Sequence, residues 1–125
     1  MKVIGIVGSR TRNSPRDKML VEEQFDTIYE DGDWLCSGDC RQGADAFALQ
    51  IARKRGIPIL SFPPGVKGGN ERFFIRNDLI AYHSDVLIAC VVQPFDIEAR
   101  GGTNFTCRAF RIHKPVSWES KLFIV

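Results

Sequence analysis

The chain lacks most of the signatures that announce a protein's chemistry directly. It contains no CxxC pair, no GxGxxG and no Walker A pattern. Gly5-Ile6-Val7-Gly8 has the wrong spacing for the dinucleotide fingerprint, so an ordinary NAD-dependent dehydrogenase or a P-loop ATPase is disfavoured. Long apolar runs are also missing. VLIACVV (86–92) and the closing KLFIV fall far short of a membrane span, and no membrane association is expected. MKVIGIVG carries neither the apolar region nor the cleavage site of a signal peptide and reads as a first strand. Nor is there an excess of one charge. Seventeen Lys and Arg against fifteen Asp and Glu leave a net charge of +2 with no basic arm, which argues against nucleic acid as a partner. Cys36, Cys40, Cys90 and Cys107 bear no ligand-like spacing to His83 or His113. No metal or cofactor is therefore expected, and the thiols read as reduced residues of a cytoplasmic protein.

What is present is ordinary globular composition, 44% hydrophobic and 26% charged, in a chain of 125 residues. That length suits one domain over 1–125. Strand patterns fall at 2–8, 34–37, 57–60, 85–92 and the C-terminal end. Helical patterns fall at about 15–29, 43–55, 71–83 and 101–113. Ser14-Pro15-Arg16-Asp17 reads as a helix start, and Arg53-Lys54-Arg55-Gly56 as a helix end. Strands alternating with helices imply an α/β fold, a Rossmann-like parallel sheet with helices on both faces. Ligands of such sheets bind beyond the carboxyl ends of the strands, where the strand order reverses.

The unusual segments all follow strand ends. Gly8-Ser9-Arg10 offers close backbone approach, a hydroxyl and a cation to a phosphate; the plain alternative is a turn with a solvated arginine. SGDCRQGAD (37–45) spends two glycines around Asp39 and Arg41 where a simple turn into a helix needs neither. Asp45 sits where it either meets a ligand or complements the helix dipole. Gly101-Gly102-Thr103-Asn104-Phe105-Thr106 is a second anion-binding candidate, with two hydroxyls one turn apart, or a helix cap through Thr103. Arg76 and Asn77 stand among Phe73, Phe74, Leu79 and Ile80, facing either a ligand or solvent. His83, His113, Lys67, Arg72 and the 53–55 cluster read as structural or solvated.

Taken together, GSR, SGDCRQGAD, RN, the SD before an apolar strand, and GGTNFT resemble the SLOG superfamily. Its members include the Lonely Guy phosphoribohydrolases, molybdenum-cofactor carrier-like proteins and DNA-processing protein A. The likeness is greatest to small stand-alone bacterial and phage members and spans about residues 3–113 in order. The resemblance implies a nucleotide pocket lined by Gly8, Ser9 and Arg10, a second loop shaped by Ser37, Gly38 and Gly43 and braced by Asp45, and Arg76 and Asn77 facing the ligand. Phosphate would rest on Gly101, Gly102, Thr103 and Thr106, and the family implies a homodimer.

Two departures from the family pattern shape the functional expectation. Where the phosphoribohydrolases carry a catalytic glutamate, this chain has Thr106, and a longer connection with Asp96, Glu98 and Arg100 replaces the family's proline. Asp39-Cys40 stands where the family has small residues, which suits a ribose diol better than an anion. The expectation is a small-molecule binding protein, a sensor or sequestering module for a nucleotide such as an ADP-ribose derivative. The alternative is an N-glycosidase acting on nucleoside monophosphates through Asp96 or Glu98.

Overall fold

Residues 3–8 are almost wholly apolar and β-branched, as a strand covered on both faces must be. In the computed structural model, which describes residues 1–125, they form β1 (Val3–Gly8) at the centre of the sheet. The order along the chain is β1, α1 (Pro15–Ile28), β2 (Trp34–Gly38), α2 (Ala44–Arg55), β3 (Ile59–Phe62), α3 (Glu71–His83), β4 (Val86–Cys90), α4 (Gly102–His113) and β5 (Leu122–Ile124). The five strands are parallel and ordered β3-β2-β1-β4-β5. The expected Rossmann-like architecture is therefore present. No helix is long and apolar enough to cross a membrane.

The period of two along each strand divides the core. Ile4, Ile6, Leu35, Ile88 and Cys90 pack with Val21, Phe25, Phe47 and Ile51 of α1 and α2. Val7, Cys36, Leu87 and Ala89 pack with Ile80, Ala81, Cys107 and Phe110 of α3 and α4. Phe25 and Phe110 are fully buried, one on each side. Each contributes on the order of 2–3 kcal/mol by burial, more than a typical surface ion pair supplies.

Local chemistry sets the element ends. Ser14 accepts from the Asp17 backbone N–H and Asp17 reaches back to the Ser14 N–H, a capping box with Pro15 in the first turn. Gly56 ends α2 at φ 66°, in the left-handed region. β3 begins two residues later than the sequence suggests. Pro58 has no N–H to donate, although its carbonyl accepts from Leu35, and Ile57 is buried ahead of the strand. Arg55, read as solvated, instead binds Glu22 and lies over the Phe25 ring.

The loop after β1 is fixed from below. Arg12 donates from Nε to Asp17 at 2.6 Å and from Nη1 to the carbonyls of Val91 and Val125. That grip joins the end of β1 to the ends of β4 and β5, and it sets where Gly8, Ser9 and Arg10 stand.

Candidate functional site

The chain runs from β1 outward to β3, then returns to the other side of β1 with β4. The order reverses between β1 and β4, and there the connections diverge to leave a cleft of about 510 Å³. A cleft of that size suits a small organic ligand. Gly8 lets the strands and α2 close beneath it: a Cβ there would lie 2.5 Å from the Cys90 carbonyl oxygen and 2.9 Å from the Ala44 side chain. The Ser9 N–H donates to the same carbonyl.

One wall is the start of α4. Its N-cap is Gly101, at φ 142°, and no side chain caps the first turn. Asn104 is turned away to donate to the Asp96 carbonyl at 2.6 Å. No acidic residue occupies that turn, so its N–H groups present an uncompensated positive helix end to the cleft.

The adjoining wall is α3, where Phe73, Arg76, Asn77 and Ile80 recur at helical spacing along the cleft. Arg76 donates from Nε to Asn77 Oδ1 at 2.7 Å, and Asn77 Nδ2 approaches the Gly102 carbonyl at 3.4 Å. Asn77 is buried, so this chain of bonds ties the guanidinium to the start of α4. Gly38 makes room for it. A Cβ at Gly38 would sit 2.5 Å from Arg76 Nη1 and 2.7 Å from Asp45 Oδ2.

Asp45, in the first turn of α2, accepts the Cys40 backbone N–H at 3.1 Å and borders the cleft. Burial pushes its carboxyl above the ordinary carboxylate value. The backbone N–H groups of Cys40 and Gly38 and the charges of Arg76 and Arg10 oppose that rise. The site thus combines two cations, Arg10 and Arg76, with two acids, Asp45 and Asp96, and the rings of Phe73 and Phe95. Such a lining can take a phosphate at one end, hydrogen-bond donors at the acids, and a flat apolar ring between.

Of the expected residues, Gly8, Ser9, Arg10, Asp45, Arg76, Asn77, Asp96, Gly101, Gly102, Thr103 and Thr106 all border this cleft. Ser37, Gly38 and Gly43 lie beneath or beside it. Ser37 is buried and donates to the Gly38 carbonyl, and Gly43 packs on Ser9 at φ 69° while giving its N–H to Asn13. Asp39 and Arg41 are exposed outside the lining, because the loop turns their side chains to solvent before α2 begins. Glu98 is likewise outside it and binds Arg111 at 2.8 Å. Thr106 is buried, and its hydroxyl donates to Gly102 O at 2.9 Å, serving the helix backbone.

Sequence reasoning did not find Cys40, Gln42 or Phe95. Phe73 carried a signal, standing three and four residues before Arg76 and Asn77. Arg72, read as solvated, lies over the Phe73 ring at 4.7 Å, and its buried Nε has no partner. His83 stacks on Phe62, and His113 binds Asp78 at 2.8 Å. Cys36, Cys90 and Cys107 are buried free thiols, and burial pushes Cys36 and Cys107 up to about 12. No three His, Cys, Asp or Glu side chains converge.

No family model, curated protein or solved structure matches this chain.

Proposed function

We propose that the protein binds a nucleotide or nucleotide derivative in the β1/β4 cleft, with phosphate on the first turn of α4 and between Arg10 and Arg76. The observation that carries this reading is the pairing of an uncapped, acid-free helix start with an arginine oriented toward it through Asn77. The base would lie against Phe73 or Phe95, and the ribose hydroxyls would donate to Asp96. In this role the protein is a sensor or sequestering module for the ligand.

Hydrolysis of an N-glycosidic bond is the second reading, supported by the carboxyls of Asp45 and Asp96 in the same cleft. An acid there could stabilise the developing positive charge on the sugar and activate water. Binding is the better supported of the two, because the motif position of a catalytic glutamate holds Thr106, whose hydroxyl serves the helix.

Mass spectrometry of small molecules released by denaturing the purified protein, followed by calorimetry with nucleoside mono- and diphosphates, tests the proposal. A phosphorylated nucleoside that binds wild type and is lost from Arg76→Ala is the expected outcome. Binding of none of these compounds would overturn the reading.

A further inference from the structure

Asp45 and Arg76 converge on one spot. A Cβ placed on Gly38 would lie 2.5 Å from Arg76 Nη1 and 2.7 Å from Asp45 Oδ2, so cation and acid face each other across that glycine. They form no direct ion pair. Arg76 Nε is committed to Asn77, and Asn77 Nδ2 approaches the Gly102 carbonyl, so Asp45, Arg76 and the start of α4 stand in a row. Asp45 accepts the Cys40 backbone N–H and no side-chain donor. Few charged or titratable groups surround it. Arg10 comes from the loop after β1, Arg76 from α3, Cys36 from β2 and Cys40 from Asp45's own loop. Asp96 borders the same cleft from the connection before α4. Cys36 is a buried, neutral thiol. Only the two arginines offset the carboxylate, and they are the same two that the nucleotide reading assigns to phosphate.

We infer that Asp45 takes up a proton from solvent when phosphate binds, and that its neutral carboxyl then donates to a phosphate oxygen. The inference rests on the nucleotide reading above. In the free protein Arg10 and Arg76 favour the ionised carboxylate. A bound dianion engages both cations and adds like charge beside Asp45. The half-buried carboxylate is then left with its compensation withdrawn. Protonation removes the repulsion and turns an acceptor into a donor, facing an oxygen that only accepts. Binding is thereby coupled to one proton. Affinity falls by up to about tenfold per pH unit between the free and the bound midpoint of Asp45, and is highest below both.

Carbon-13 NMR of the Asp45 carboxyl in the wild-type protein tests this, with sulfate as the probe and chloride at equal ionic strength as the control. Sulfate stays a dianion across the titration, so any proton taken up belongs to the protein. The expected result is a shift of the Gly102 and Thr103 amides together with a rise of the Asp45 midpoint by about one pH unit or more. Asp45→Asn gives a second measurement, because its amide donates without titrating. It should bind sulfate several-fold more tightly than wild type at pH 8, with the difference closing as pH falls. Amides that move while the Asp45 midpoint stays in place would overturn the inference and leave the phosphate seat standing. Weaker sulfate binding by Asp45→Asn at every pH would overturn it too, and would make Asp45 a brace of the 38–45 loop. A titration that moves neither amide removes the anion seat and the inference with it, while calorimetry with nucleoside phosphates decides the nucleotide reading separately.

Discussion

Arg76 and Asn77 are neighbours in sequence that act as a unit: the Nε of one donates to the Oδ1 of the other at 2.7 Å, with the amide nitrogen turned to the start of α4. An arginine on a half-exposed helix would ordinarily sample many rotamers. Here its fork is held by a buried amide, and only the terminal nitrogens remain for a ligand.

Replacing Arg76 by alanine is therefore expected to weaken binding of a nucleoside monophosphate by about ten- to a hundredfold, the loss of a charge-assisted hydrogen bond of roughly 1.5–3 kcal/mol. Arg76→Lys should recover little, because an ammonium cannot bind Asn77 and a phosphate with one planar group. Isothermal calorimetry measures both, and full recovery by lysine would show that charge alone matters at this position.

Gly38 and Gly8 separate two kinds of close approach. A methyl at Gly38 meets the ends of two side chains, Arg76 and Asp45, which can shift. A methyl at Gly8 meets the Cys90 backbone carbonyl, which cannot move without bending β4. Gly38→Ala is expected to reduce ligand affinity with a small change in melting temperature. Gly8→Ala should cost about 1–3 kcal/mol of stability, as overpacking does. Paired thermal melts and titrations decide it, and equal loss of stability in the two variants would contradict this distinction.

Asp45 should make stability depend on pH in a direction opposite to that of a paired carboxylate. Its folded value is raised above the unfolded value, so its favourable contribution is fully present below the unfolded value near 4 and is lost as pH rises through the folded one. Ionised Asp45 thus costs stability at neutral pH. Asp45→Asn keeps an acceptor for the Cys40 N–H and is expected to melt higher than wild type at pH 8, with the advantage vanishing at pH 3. Melting curves across that range check the sign. A variant less stable than wild type throughout would show that the charge is needed to close the 38–45 loop.

Little release of free base from nucleoside monophosphates is expected. Any that occurs should fall by orders of magnitude in Asp96→Asn and survive in Glu98→Gln, because only the first acid borders the cleft. Asp39→Asn should leave both affinity and turnover unchanged. Chromatographic assay of the three variants distinguishes these acids, and turnover lost with Glu98 would require the 93–100 segment to rearrange.

Much of this was legible in the residues, and the exceptions have physical reasons. Ser14, Pro15 and Asp17 define their helix start locally, so sequence suffices. The strand-end loops were identifiable as a group because their glycines and polar groups follow apolar runs. Which side chain of such a loop turns inward was not legible. Asp39 and Asp45 are the same residue type six positions apart, yet one precedes the helix and faces water while the other lies in its first turn and faces the cleft. α3 was ambiguous for another reason. It is apolar on nearly all sides, so the pattern alone cannot separate the packed face of Asn77 and Ile80 from the exposed face of Ile75 and Leu79. The Asn13 bond to the Gly43 N–H joins two loops thirty residues apart and leaves no periodic trace.

The connection between β4 and α4 is fastened to α4 along its length. Asn104 holds the Asp96 carbonyl, Arg108 holds those of Ile97 and Ala99, and Arg111 holds Glu98. The rim bearing Asp96 and the helix offering its free amides consequently travel as one body. A tilt of α4 changes the width of the mouth and the aim of the amides together. For an anion held as proposed, grip and opening would form a single mechanical coordinate, so the motion that let it escape would also be the motion that slackened its hold.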